Sequence, residues 1–178
     1  MPPKHYNHHP HIHYLTFSCY KHLHLFKDDY LYYLIIKYLD HARHRGLYKL
    51  FGFVVMPNHV HLLIQPNINI SISAILRAIK QPFSHHALNH IRDLWPDLHY
   101  DLFVKKGSRT IRVFWQAGGG YDRNIFEKET FDHTLEYIHL NPVREHLVTS
   151  SLDWKWSSAN YYTTGETGLI EMDKINWW

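Results

Sequence analysis

Two sets of side chains alternate from Ile12 to Cys19, with Ile12, Tyr14 and Thr16 on one face and His13, Leu15 and Phe17 on the other. Successive strand residues point to opposite faces, so this stretch predicts a strand with two useful faces. The period then lengthens. Leu31, Leu34, Ile35, Tyr38 and Leu39 recur at helical spacing between about residues 28 and 45, with Asp28 or Asp29 to cap the start and Gly46 to stop it. Lys49 to Val55 is aromatic and β-branched, Met56-Pro57-Asn58 is turn chemistry, and His59 to Gln65 alternates again, which predicts a hairpin. From Asn69 to about Asp93, Ile72, Ile75, Leu76 and Ile79 share one side of a helix that Pro82 is expected to kink or divide.

Beyond it, Leu102-Phe103-Val104 and Ile111 to Trp115 read as strands around the basic turn Lys105-Lys106-Gly107-Ser108-Arg109. Gly118-Gly119-Gly120 breaks the chain before a helix from about Glu127 to Leu140. That helix is expected to end near Asn141-Pro142, because proline disfavours helix at the residue before it. From Val143 onward the chain is rich in Trp, Ser and Tyr without clear periodicity.

Strand, helix, hairpin, helix, strand or strands, helix predicts an α+β fold: an antiparallel sheet flanked by helices, ferredoxin-like (RRM-like) in arrangement. Length and composition agree with a single domain over residues 1–178, its core at about 12–142 and a Trp/Tyr-rich tail at 143–178. The 178 residues, 45% hydrophobic and 16% aromatic, suffice for one well-packed core, and no repeat or linker marks a second. Apolar runs such as Phe51 to Val55 fall far short of the roughly 20 residues that span a bilayer. Met-Pro-Pro-Lys, followed by polar residues, does not read as a signal peptide, so a cytoplasmic location is expected. A lone Cys19 rules out an internal disulfide. The net charge of +3 allows a polyanionic partner without requiring one. Among 18 histidines, His5, His8, His9, His11 and His13 are spaced too irregularly for a defined metal site.

Chemistry concentrates in two places. His59 and His61, two apart in a strand, stand side by side while Val60, Leu62 and Ile64 take the other face, so two imidazoles can meet one ion. In the late helix Phe131, Leu135 and Ile138 form an apolar stripe, and Tyr137 lies about 120° from its centre with Asn141 one turn on. An Asn141 amide oxygen can complete a metal site with the histidines while the Tyr137 hydroxyl attacks a phosphate held there. Spacing alone favours sheet-face histidines, a helix-edge tyrosine and a helix-ending asparagine.

Met56-Pro57-Asn58-His59-Val60-His61-Leu62-Leu63 resembles the metal-binding strand of single-tyrosine HUH transposases. Tyr137-Ile138-His139-Leu140-Asn141-Pro142-Val143-Arg144, with Leu147-Val148 and Asp153-Trp154-Lys155-Trp156-Ser157-Ser158, resembles the C-terminal half of the REP-associated tyrosine transposases within the IS200-like group. Phe114-Trp115-Gln116 and Tyr121-Asp122-Arg123-Asn124-Ile125 extend the likeness, which runs from about Tyr14 to Tyr162. The resemblance implies His59, His61 and Asn141 as ligands of Mg²⁺ or Mn²⁺ and Tyr137 as nucleophile. It further implies cleavage and rejoining of single-stranded or hairpin DNA through a 5′-phosphotyrosine. Glu136 and His139 adjoin Tyr137, but helical geometry turns both away from it. Lys105, Lys106, Arg109 and Arg112 are candidate phosphate contacts or a solvated turn, and Trp154, Trp156, Tyr161 and Tyr162 are candidate base platforms, although tail aromatics more often seal a core. The family includes dimers with shared sites, so a homodimer is possible. Two other readings are a metal-dependent single-strand nuclease using water and a non-catalytic nucleic-acid-binding module.

Overall fold

The structure, a computed structural model, describes residues 11–175. Along the chain run β1 (Ile12–Ser18), α1 (Asp29–His44), β2 (Tyr48–Val55), β3 (His59–Pro66), α2 (Ile72–Leu94) and α3 (Pro96–Asp101). They are followed by β4 (Phe103–Lys106), β5 (Arg109–Arg112), β6 (Tyr121–Ile125), α4 (Lys128–Arg144) and α5 (Ala159–Thr164). Asp28, one of the two cap candidates, accepts from Leu31 N at 3.1 Å through Oδ1 to start α1, and Ser71 Oγ, which the sequence reading did not single out, accepts from Ala74 N at 3.2 Å to start α2. Among the described residues no helix is long and apolar enough to cross a membrane.

The main sheet has strand order β2-β3-β1-β6 with every neighbour antiparallel, which is the ferredoxin-like order. Alternation along the strands gives the sheet two apolar faces. Leu15, Phe17, Phe53, Val60, Leu62 and Ile64 face α1 and α2, where the larger core lies. Ile12, Val54 and Leu63 face Phe131, Leu135 and Ile138 of α4. Gly52 lets that second helix seat, for a Cβ there would lie 2.7 Å from Leu135 Cδ1. A β-bulge between Leu50 and Gly52 marks the same spot.

Four expectations change. Pro82 neither divides nor ends α2, which runs unbroken from Ile72 to Leu94. An interior proline costs about 3 kcal/mol, but its neighbours Ile79 and Phe83 are both fully buried and contribute about 1.5–3 kcal/mol each. With Ile138 fully buried on the same helix, α4 likewise runs through Asn141 and Pro142 and ends at Arg144. The strand expected over 111–115 stops at Arg112, and β4 and β5 form a two-stranded sheet of their own. Phe114 and Trp115 instead enter the core against Phe83 and Phe17, with Trp115 bridging to Cys19. The fourth strand is β6, whose Tyr-Asp-Arg-Asn-Ile sequence carries little strand signal.

The segment beyond 143 closes over the edge of β2. Val55 N donates to Trp156 O at 2.9 Å, and Asp173 Oδ2 accepts from Leu50 N and Arg43 Nε, each at 2.8 Å. Trp156 is buried and stacked 4.7 Å from Tyr32, while Trp154 Nε1 donates to Val55 O at 3.0 Å. Both rings, candidates for stacking on bases, are therefore committed to the fold. Tyr162 Oη donates to Phe51 O, and Tyr161 packs against the larger core.

Candidate active site

The register of β1 and β3 sets Thr16 opposite His61 and Ser18 opposite His59, on the face that α4 covers. His59 Nε2 and His61 Nε2 stand 2.9 Å apart. Their other nitrogens explain that orientation. Asn58 Oδ1, which can only accept, takes the His59 Nδ1 proton at 2.6 Å, so His59 Nε2 carries a lone pair. His61 Nδ1 meets Thr16 Oγ1 at 2.8 Å and Tyr14 Oη at 2.9 Å, and donating to either leaves its Nε2 as a lone pair too. Burial, the largest cause, pushes the His59 ring down to about 4 and the His61 ring down to about 3, with the neighbouring His59 adding to the second. Both rings are neutral at pH 7.

From α4, the buried Asn141 donates Nδ2–H to the His61 Nε2 lone pair at 3.1 Å, so its Oδ1 would face a cation only after the amide turns over. One turn earlier, Tyr137 is 43% exposed, its ring 6.0 Å from that of His61 and nearly perpendicular to it. The Arg144 guanidinium lies 4.7 Å from the Tyr137 ring centroid, a positive charge beside the phenol. Tyr137 opens onto a cleft of about 620 Å³ shared with Tyr14, Thr16, His61, Tyr121 and Arg123. Among the described residues no three His, Cys, Asp or Glu side chains gather, so a cation here would rely on two imidazoles and one amide. The donor chemistry fits one: two nitrogens on an octahedral ion, each at about 2.1 Å, lie about 3 Å apart, and two facing lone pairs at 2.9 Å favour a cation between them.

Four residues expected from the sequence thus meet: His59, His61, Tyr137 and Asn141. Lys105, Lys106 and Arg109 do not join them, being exposed on the β4–β5 hairpin, and Arg112 Nη1 reaches Asn89 Oδ1 at 3.3 Å. Glu136 is exposed, and His139 is buried with Nε2 2.8 Å from Ser158 Oγ, so neither serves Tyr137. His5, His8 and His9 lie outside the described residues, as do Trp177 and Trp178, while His13 pairs with Asp122 at 2.7 Å. Sequence reading missed Tyr14, Thr16 and Arg144 as participants. The alternation of β1 already set Tyr14 and Thr16 on one face, but only the strand register shows that His61 lies opposite.

Two expected results follow from these contacts. Replacing Tyr14 by Phe and Thr16 by Val together leaves His61 Nδ1 without its two partners, and calorimetric affinity for Mn²⁺ is expected to fall about 10–100-fold. Unchanged affinity would remove both from the site. The second concerns pH. Burial also pushes His139 down to about 4. Below pH 6.5 the unfolded chain binds protons at His59, His61 and His139 that the folded chain refuses, so stability falls as pH drops from 6.5 towards 4. Each ring contributes about 1.4 kcal/mol per pH unit. Urea midpoints of the metal-free protein should show His139→Asn flattening that slope by one ring's share, and an unaltered slope would contradict the neutral assignment.

Residues 6–141 match the IS200-like transposase family, and the chain belongs to that family. In fold it is similar to a REP-associated tyrosine transposase bound to a REP hairpin, with TM-score 0.70, 16% identity, and coverage of 99% of this chain and 93% of that one. A protein from Deinococcus radiodurans R1 shows 18% identity over 78% of this chain and 95% of its own, but at TM-score 0.39 it adds nothing to the argument. No curated protein is detectably similar in sequence.

Proposed function

We propose that this transposase cleaves and rejoins single-stranded or hairpin DNA through a covalent 5′-phosphotyrosine on Tyr137. The observation that carries the reading is the Tyr137 ring 6.0 Å from that of His61, the two residues lining one open cleft. The hairpin bound in the REP-associated tyrosine transposase of similar fold supports DNA of that shape as the substrate class. Bound by His59, His61 and Asn141, a divalent ion, Mg²⁺ or Mn²⁺, would supply Lewis-acid polarisation of the scissile phosphate.

The chain's own groups divide the remaining work. Tyr137 Oη attacks phosphorus, the Tyr–O–P bond forms as the P–O3′ bond breaks, and the leaving 3′ oxygen takes a proton. Attack by a 3′-OH on that phosphotyrosine reverses the step and joins strands with no nucleotide energy source. Arg144 places a cation beside the phenol as charge develops on it. Asn58, Thr16 and Tyr14 hold the two imidazoles in their tautomers.

The test is a denaturing gel of the protein with end-labelled single-stranded DNA and hairpins from its own locus, with Mn²⁺ or with chelator. A metal-dependent protein-linked DNA band is expected. Cleavage without a linked band would replace the reading with hydrolysis by water, and binding without cleavage would replace it with a DNA-binding module.

A further inference from the structure

A second cleft, of about 500 Å³, lies between α2 and the segment after β5. Arg77 and Lys80, one turn apart on α2, line it with Leu76, Ser84, Trp115 and Gly119. Neither cation pairs with a carboxylate among the described residues. Lys80 is partly buried, its Nζ 5.3 Å from the Phe17 ring and 5.7 Å from that of Trp115. Burial pushes its ammonium down, the mark of a charge stripped of water without an anion in return. Trp115, 7% exposed, has its indole Nε1 buried with no acceptor among the described residues. Buried N–H groups are nearly always paired in folded proteins, so this one calls for an acceptor.

The position of the cleft says which anion. Gly118 and Gly119 form its wall, Gly120 packs on the Thr16 carbonyl, and Tyr121 lines the active-site cleft. One short turn therefore separates the two clefts. A chain of phosphates passing over it can engage both. We propose that Arg77 and Lys80 bind the phosphodiester backbone of the single-stranded DNA that flanks the scissile phosphate. The proposal rests on the reading of the chain as a DNA-cleaving enzyme.

Fluorescence anisotropy of full-length protein carrying Tyr137→Phe, which prevents turnover, tests it with a labelled oligothymidylate about 20 nucleotides long. Each phosphate contact to a single strand contributes about 0.7 to the slope of log affinity against log salt. Arg77→Gln with Lys80→Gln is expected to flatten the slope by about 1.4 and to weaken binding about tenfold or more at low salt. Arg77 is exposed, so Arg77→Gln alone leaves the fold intact and should flatten the slope by about 0.7. Lys80→Arg keeps the charge and should keep the slope, as should Lys49→Gln on the far edge of the sheet. A slope unchanged in Arg77→Gln and in the double variant overturns the cleft assignment while leaving DNA binding standing. Failure of the Tyr137→Phe parent to bind the oligonucleotide at all overturns both.

Discussion

Replacing Tyr137 by phenylalanine is expected to abolish the protein–DNA adduct and to lower strand cleavage by about 10⁴-fold or more. The change removes one oxygen and little else. The ring keeps its place beside Arg144 and at the rim of the cleft, and the histidine pair and Asn141 lie on other contacts. Binding of DNA and of Mn²⁺ should therefore match the unaltered protein, which separates loss of the nucleophile from loss of the site. The measurement is a denaturing gel read beside anisotropy and calorimetry on the same preparation. An adduct that persists in Tyr137→Phe would move the nucleophile to Tyr14 or Tyr121, the other phenols lining that cleft.

Gly120→Ala is expected to be the most damaging single-methyl change in the chain. Gly120 has φ +75°, and a Cβ on it would lie 2.0 Å from the Thr16 carbonyl oxygen and 3.2 Å from Phe17 Cα. Those atoms belong to the backbone of β1, which cannot swing aside as a side chain would. Left-handed strain of about 1–3 kcal/mol adds to the clash, so a loss of about 3 kcal/mol or more is expected, roughly 10 °C in Tm for a chain of this size. A second effect comes through Thr16, whose hydroxyl holds His61 Nδ1. Pushing β1 away loosens that contact, and Mn²⁺ affinity should fall along with stability. Gly119→Ala is the control: nothing lies within 4 Å of a Cβ there, and a change within about 0.5 kcal/mol is expected. Equal urea midpoints for the two variants would refute the account.

Elements whose burial is one-sided were readable from the chain, and elements defined by their neighbours were not. The periodicity of Leu31 to Leu39 and the Asp28 cap gave α1 almost to the residue, and the alternation after Asn58 gave β3 with both histidines on one face. Tyr137 and Asn141 fall on one side of α4 because helical geometry requires it. By contrast β6 is half-exposed and polar, and it is a strand only because β1 offers an unpaired edge. Prolines 82 and 142 misled for an energetic reason: each costs a local bond that buried neighbours on the same helix outweigh. For Trp154 and Trp156 the sequence favoured core sealing over base stacking but could not name the partners, because Val55 and Tyr32 lie about a hundred residues earlier in the chain. For the site, the ligand and nucleophile candidates came from the sequence, and the groups that orient the imidazoles came from strand register.

Asn141 and His61, 3.1 Å apart in the finished protein, are separated by 80 residues of chain. During synthesis on the ribosome the histidine strand emerges long before the helix that bears Tyr137 and Asn141. A nascent or prematurely terminated product that stops before this helix therefore carries the two imidazoles without Tyr137 or Asn141. On the proposed reading, the candidate site is assembled only once the last large helix has been made.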